Sequence, residues 1–205
     1  MLTISLLWVL IMPLSTVGYH TCLNVGSATE IEQKAPFKAQ HDPFLSEGCY
    51  FWEHSESAAH YWGGTARFKQ AGYVVCRCEL CLNSILDLAG NPLQINEFLA
   101  LEQVLEECNR LPAAKLPIAK LIETLRDLDA TDMPGVFPYD SVRIRLEPAE
   151  KQQDLRPFTA SARTGKGLIL NPRFVICVFA ETTSPLRPPQ VLTCEIIFPK
   201  TVQHD

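Results

Sequence analysis

The sequence predicts an α+β fold, and three features carry that prediction. Runs of β-branched and aromatic residues stand toward both ends, segments of helical period occupy the middle, and Gly- or Pro-rich breaks separate them. With 205 residues, 47% hydrophobic and 20% charged, the chain is long enough for one sizeable core and is read as a single domain over 16–205. Residues 1–15 form an apolar N-terminal extension.

Thr16 to Leu23 is the first strand, and Ile31 to Lys34 a helical turn. Cys49 to Trp52 is an aromatic-rich second strand. Ser55 is a good N-cap, Glu56 suits the first turn, and Gly63-Gly64 stops the helix that begins there. Gly72 to Leu80 gives a third strand. A helical insertion at about 82–130 follows, with Phe98, Leu101, Leu105 and Cys108 on one helical face and Ile118, Leu121, Ile122 and Leu125 on a second after Pro117. Val142, Ile144 and Leu146 alternate with Ser141, Arg143 and Arg145, which predicts a half-buried strand with its polar side outward. Pro148 to Lys166 is a charged loop. Leu168 to Leu170, Phe174 to Phe179 and Val191 to Phe198 close the chain as strands, the last two separated by the turn Ser184 to Pro189.

A net charge of −5 and a pI near 5.6 argue against a surface that neutralises nucleic-acid phosphates. Arg143, Arg145, Arg163 and Lys166 suit at most a local patch of dinucleotide size. The first eighteen residues are uncharged and apolar like a short secretory core, yet they lack a basic start and a clear cleavage site and are too short to span a bilayer comfortably. The expectation is a cytoplasmic domain with no membrane span, a secretory signal being the alternative. The eight cysteines lie mostly in apolar runs and are read as buried thiols. Cys76, Cys78 and Cys81 have no second Cys or His pair at zinc-finger spacing, so no metal is expected.

The most informative stretch runs from Gly48 to Tyr61. It sets Tyr50 and Tyr61 eleven residues apart across a strand-to-helix turn, so that both rings can line one cleft and sandwich a flat heteroaromatic base. The pattern Gly48-Cys49-Tyr50-Phe51 followed by a helix bearing Tyr61 resembles the nicotinamide pocket of the ADP-ribosyltransferase superfamily, in its diphtheria-toxin and poly-ADP-ribose-polymerase branch with a His-Tyr-Glu triad. His20, thirty residues before Tyr50, stands where the triad His belongs, and Asp42 to Gly48 is similar to the loop that precedes the motif in bacterial members. The resemblance covers about residues 17 to 80. It implies a split antiparallel sheet, two small sheets clasping NAD, and transfer of ADP-ribose from NAD to a macromolecular acceptor such as a protein.

That reaction develops positive charge on ribose and calls for a facing carboxylate. By the resemblance, Tyr50 and Tyr61 hold the nicotinamide, His20 bonds a ribose hydroxyl, and Thr21 and Ser57 lie beside the carboxamide. Relatives begin a late strand with the acid, but the matching stretch here, Asn171 to Val178, puts Arg173 or Val175 in that place. Glu195, opening Glu195-Ile196-Ile197-Phe198, fits the local pattern and is the candidate catalytic residue, with Glu181 behind it. Without a matched acid, the alternative is a silent relative that uses the NAD pocket as a binding or interaction module. A third possibility is a structural domain without a cleft.

Overall fold

The computed structural model describes residues 13–39, 44–65, 68, 72–107, 110, 116–146, 155–157, 167–169, 172–179, 188 and 190–197. Strands β1 (Leu14–Leu23), β2 (Gly48–Glu53) and β3 (Tyr73–Leu82) hold helices α1 (Ala28–Lys34) and α2 (Glu56–Gly63) between them. Then come β4 (Ile85–Asp87), α3 (Pro92–Glu107), α4 (Ile118–Thr131), β5 (Ser141–Leu146), the short pair β6 (Leu155–Pro157) and β7 (Gly167–Ile169), β8 (Arg173–Phe179) and β9 (Val191–Ile197). Seven strands form one sheet in the order β4-β5-β8-β2-β1-β3-β9. All its neighbours are antiparallel except β4 and β5.

One mixed sheet thus replaces the two small sheets expected, because β2 bonds to β8 on one side and to β1 on the other. The seam between the halves is narrow. β1 matches β3 along its whole length, from Leu14↔Leu82 to Leu23↔Tyr73, but meets β2 in register only at Gly18↔Glu53 and Tyr19↔Trp52.

Local chemistry sets the element ends. Ser27 and Glu30 form a reciprocal capping box that starts α1 three residues earlier than its apolar residues suggest. Asn91 Oδ1 accepts from the amides of Leu93 and Gln94 and opens α3 at Pro92. The insertion is more than a helical hairpin, since β4 joins the main sheet before α3 begins. Most of the predicted loop Pro148 to Lys166 lies outside the described residues, as do Glu181, Arg163 and Lys166.

Strand alternation divides the core. On one face, Leu86, Val142, Cys177 and Phe179 pack with Phe98 and Leu105 of α3 and Leu121, Ile122 and Leu125 of α4. On the other, Cys49, Phe51, Leu80, Ile176 and Val178 pack with Ile31 of α1. The polar side of β5 faces solvent at Arg145, as expected, but not along its whole length: Ser141 is fully buried and Arg143 largely so. The cysteine reading also needs correction, because Cys78 and Cys194 are joined as a disulfide between β3 and β9. Among the described residues, no helix is long and apolar enough to cross a membrane.

Candidate functional site

β2 ends at Glu53, and the chain turns through His54, whose φ of +51° is uncommon for a residue with a side chain. Ser55 then caps α2 by accepting from the Ala58 amide at 3.3 Å. β8 begins beside this turn, since Trp52 pairs with Val175. The result is a cleft of about 680 Å³ lined by Glu53 to Ser57, Arg143, Pro172 and Phe174.

One wall is a charge network on the α1 side of the sheet. Arg143 Nε donates to Glu53 Oε2 at 2.7 Å and Nη1 to Asp87 at 3.1 and 3.3 Å, while the guanidinium lies 4.2 Å from the centre of the Phe174 ring. Burial opposes the charge on Arg143, but the two carboxylates outweigh it and hold its pKa above the usual value. Thr16 donates its hydroxyl to Glu53 Oε1 at 3.3 Å and sits 3.0 Å from His54 Nε2.

An aromatic group stands on the opposite face of the sheet. Thr21 and Tyr19 share a face of β1, Thr21 donates to the Ala59 carbonyl of α2 at 2.8 Å, and Tyr19 pairs with Trp52. Alternation then turns Trp52 and Tyr50 toward the face that α2 covers. Trp52 meets Trp62 at 6.5 Å between ring centres, and the Arg173 guanidinium lies 5.0 Å from the centre of the Tyr61 ring.

The expected site residues divide between these surroundings. Ser57 lines the cleft, and Tyr61 stands on α2 with 64% of its surface exposed. Tyr50 shares the α2 face but is anchored in the core. Its hydroxyl accepts from the amides of Leu45 and Ser46 and donates to the Ser46 carbonyl, its ring lies 4.8 Å from Phe44, and burial raises its pKa. No ring contact joins Tyr50 to Tyr61 among the described residues. Thr21 staples β1 to α2 through its hydroxyl, a structural bond.

His20 does not have the role expected of it. Its Nδ1 donates to the Tyr50 carbonyl at 2.9 Å and its Nε2 accepts from the Phe37 amide at 3.0 Å, so both nitrogens are committed. The imidazole bridges β2 to the segment after α1 just where β1 and β2 part. Desolvation lowers its pKa to about 4, the Tyr50 bond opposing weakly. Between pH 6.5 and 4 the unfolded chain takes up a proton that the folded chain refuses. Stability from this group is therefore fully present above pH 6.5 and falls by up to roughly 3 kcal/mol as pH drops to 4. Urea midpoints at several pH values should show this slope in wild type and lose it in His20→Gln, which keeps one donor and one acceptor.

Glu195 is also misplaced for catalysis. It is exposed on the edge strand β9 opposite Arg77, with β3 and β1 between it and β2. Three strand spacings put β9 roughly 14 Å from β2, where the turn into α2 begins. Trp52, Glu53, His54 and Phe174 are absent from the predicted site, and Arg143 enters it only as part of a local patch of dinucleotide size. The available signal was charge: Glu53, Asp87 and Arg143 stand within strand-forming runs, where an ionised side chain needs a partner.

No protein-family model, curated protein or solved structure matches the chain.

Proposed function

We propose that the protein is an ADP-ribosyltransferase-like binding module that holds an NAD-type dinucleotide at the end of β2 without cleaving it. The observation that carries this reading is the Arg173 guanidinium lying over the Tyr61 ring. Cleavage requires a carboxylate at the developing ribosyl cation. The group beside Tyr61 is instead a guanidinium, which suits a bound pyrophosphate and stacks with an aromatic plane. Further support comes from the narrow seam between β1 and β2, which is in keeping with a split sheet, and from Ser57 at the cleft wall.

The transferase reading retains one favourable observation, the Glu53 carboxylate on the cleft wall. Both its oxygens are already engaged by Thr16 and Arg143, which leaves it poorly placed to meet a ribosyl cation. The Cys78–Cys194 bridge is of a type that persists in oxidising compartments and is rare in the cytosol, so the proposal goes with an exported protein rather than a cytoplasmic one.

Titration calorimetry should detect binding of NAD and of nicotinamide. Tyr61→Ala should weaken both by about tenfold, the loss of one stacked plane. Mass spectrometry should find NAD intact after incubation. Steady release of nicotinamide would restore the transferase, and absence of binding to either ligand would remove the pocket altogether.

A further inference from the structure

Helix α3 is apolar on both of its sides. Phe98 and Leu105 are set in the core, while Leu93, Leu99 and Val104 stand outside it with 65%, 49% and 38% of their surface exposed. Leu93, Ala100 and Val104 recur at i, i+7 and i+11 and so form one stripe, with Glu97 and Glu107 flanking it and Leu99 extending the face round the helix. A roll about the helix axis cannot bring that stripe inward. The buried Gln94 side chain ties α3 to the edge strand β4, its Oε1 accepting from the Asp87 amide at 2.7 Å and its Nε2 donating to the Ile85 carbonyl at 3.1 Å. These bonds fix which face is turned outward.

We infer that the outer face of α3 is a docking surface for a basic amphipathic helix of a partner protein. The charge of α3 selects that occupant. All four of its ionisable residues, Glu97, Glu102, Glu106 and Glu107, are acidic, and Arg110, which follows it, is already bonded to Asp132 at 3.2 Å. An apolar stripe rimmed by carboxylates is matched by one rimmed with Lys or Arg, and such charge pairs set partner choice and orientation between packed helices. A second copy of α3 would set carboxylate against carboxylate. An anionic bilayer is met by helices with Lys and Arg on the polar face, and the carboxylates of α3 would be repelled from it. The 16 residues of α3 extend over roughly 24 Å, room for about four turns of a partner helix. This surface is independent of the dinucleotide proposal.

The test uses the full chain and a synthetic amphipathic helix with leucines along one face and lysines beside them; a control peptide carries glutamates in place of the lysines. Fluorescence anisotropy measures the affinity, and amide chemical shifts locate the contact. The lysine peptide should bind with shifts centred on residues 92–107, and added salt should weaken it. Leu93→Ser with Val104→Ser, both at the surface, should keep the fold and weaken binding by at least tenfold. Glu97→Gln with Glu107→Gln should weaken it by about threefold and flatten the salt dependence. Equal binding of the glutamate peptide, shifts centred outside α3, or no binding of the lysine peptide would overturn the inference. So would self-association in sedimentation that Leu93→Ser abolishes, which gives the face to a second copy, or binding to anionic vesicles that Leu93→Ser abolishes, which gives it to a membrane.

Discussion

Arg143→Met is expected to destabilise the protein by about 3–5 kcal/mol, the usual consequence of removing one partner from a buried ion pair. The Arg143 and Glu53 side chains retain 17% and 7% of their exposure, and Arg143 also bonds both oxygens of Asp87. Without the guanidinium, Glu53 keeps, among the described residues, only the Thr16 hydroxyl, and two carboxylates are left on one side of the sheet end with no described cation between them. Methionine fills much of the same volume over Phe174, so lost packing contributes little. A second variant separates charge from shape. If the cost comes from stranded carboxylates, adding Glu53→Gln and Asp87→Asn to Arg143→Met should recover a large part of it. Urea unfolding of the three proteins provides the measurement. A loss below about 1 kcal/mol in the single variant would mean that water already screens the network, as at an exposed pair.

The turn that builds the site was legible in the sequence because its signals are local. Ser55 caps α2, Gly63 ends it, and alternation along Tyr50-Phe51-Trp52 sends successive rings to opposite faces. Gly63 owes its place to packing as well as to helix ending: a Cβ there would sit 2.3 Å from the Tyr73 ring. What sequence could not supply was the partner of each face. Alternation in β5 separates Val142 from Arg143 but does not reveal that Asp87 comes to Arg143 from the neighbouring β4 and Glu53 from β2, on the far side of β8. The thirty-residue spacing from His20 to Tyr50 was read as a shared site. It brings the two together through a backbone bond, the imidazole meeting the Tyr50 carbonyl rather than its ring. Glu195 fitted a local pattern, and only the strand order places it at the far edge.

The Cys78–Cys194 bridge gives the other large effect. It closes a sequence separation of 116 residues, and the chain-entropy account assigns a loop of that order almost 5 kcal/mol at 25 °C. Replacing both cysteines by alanine, which leaves no stray thiol, is expected to cost about 4–5 kcal/mol by urea unfolding. The damage should also be uneven. Among the described residues β9 is an edge strand with β3 as its one sheet neighbour, so without the covalent tie it has the ladder to β3 and the bond from the Ile196 amide to Glu32 of α1. Hydrogen exchange should therefore accelerate in Val191–Ile197 before it does in β2 or β8, which are paired on both sides. Since β1 and β3 stand between β9 and β2, ligand affinity at Tyr61 should survive wherever the variant stays folded. Loss of affinity in a folded Cys78→Ala/Cys194→Ala protein would show that the far edge of the sheet helps shape the cleft. Unchanged stability would show that the unfolded chain is already as confined as the bridge makes it, and that the ladder to β3 and the bond to Glu32 suffice to hold β9.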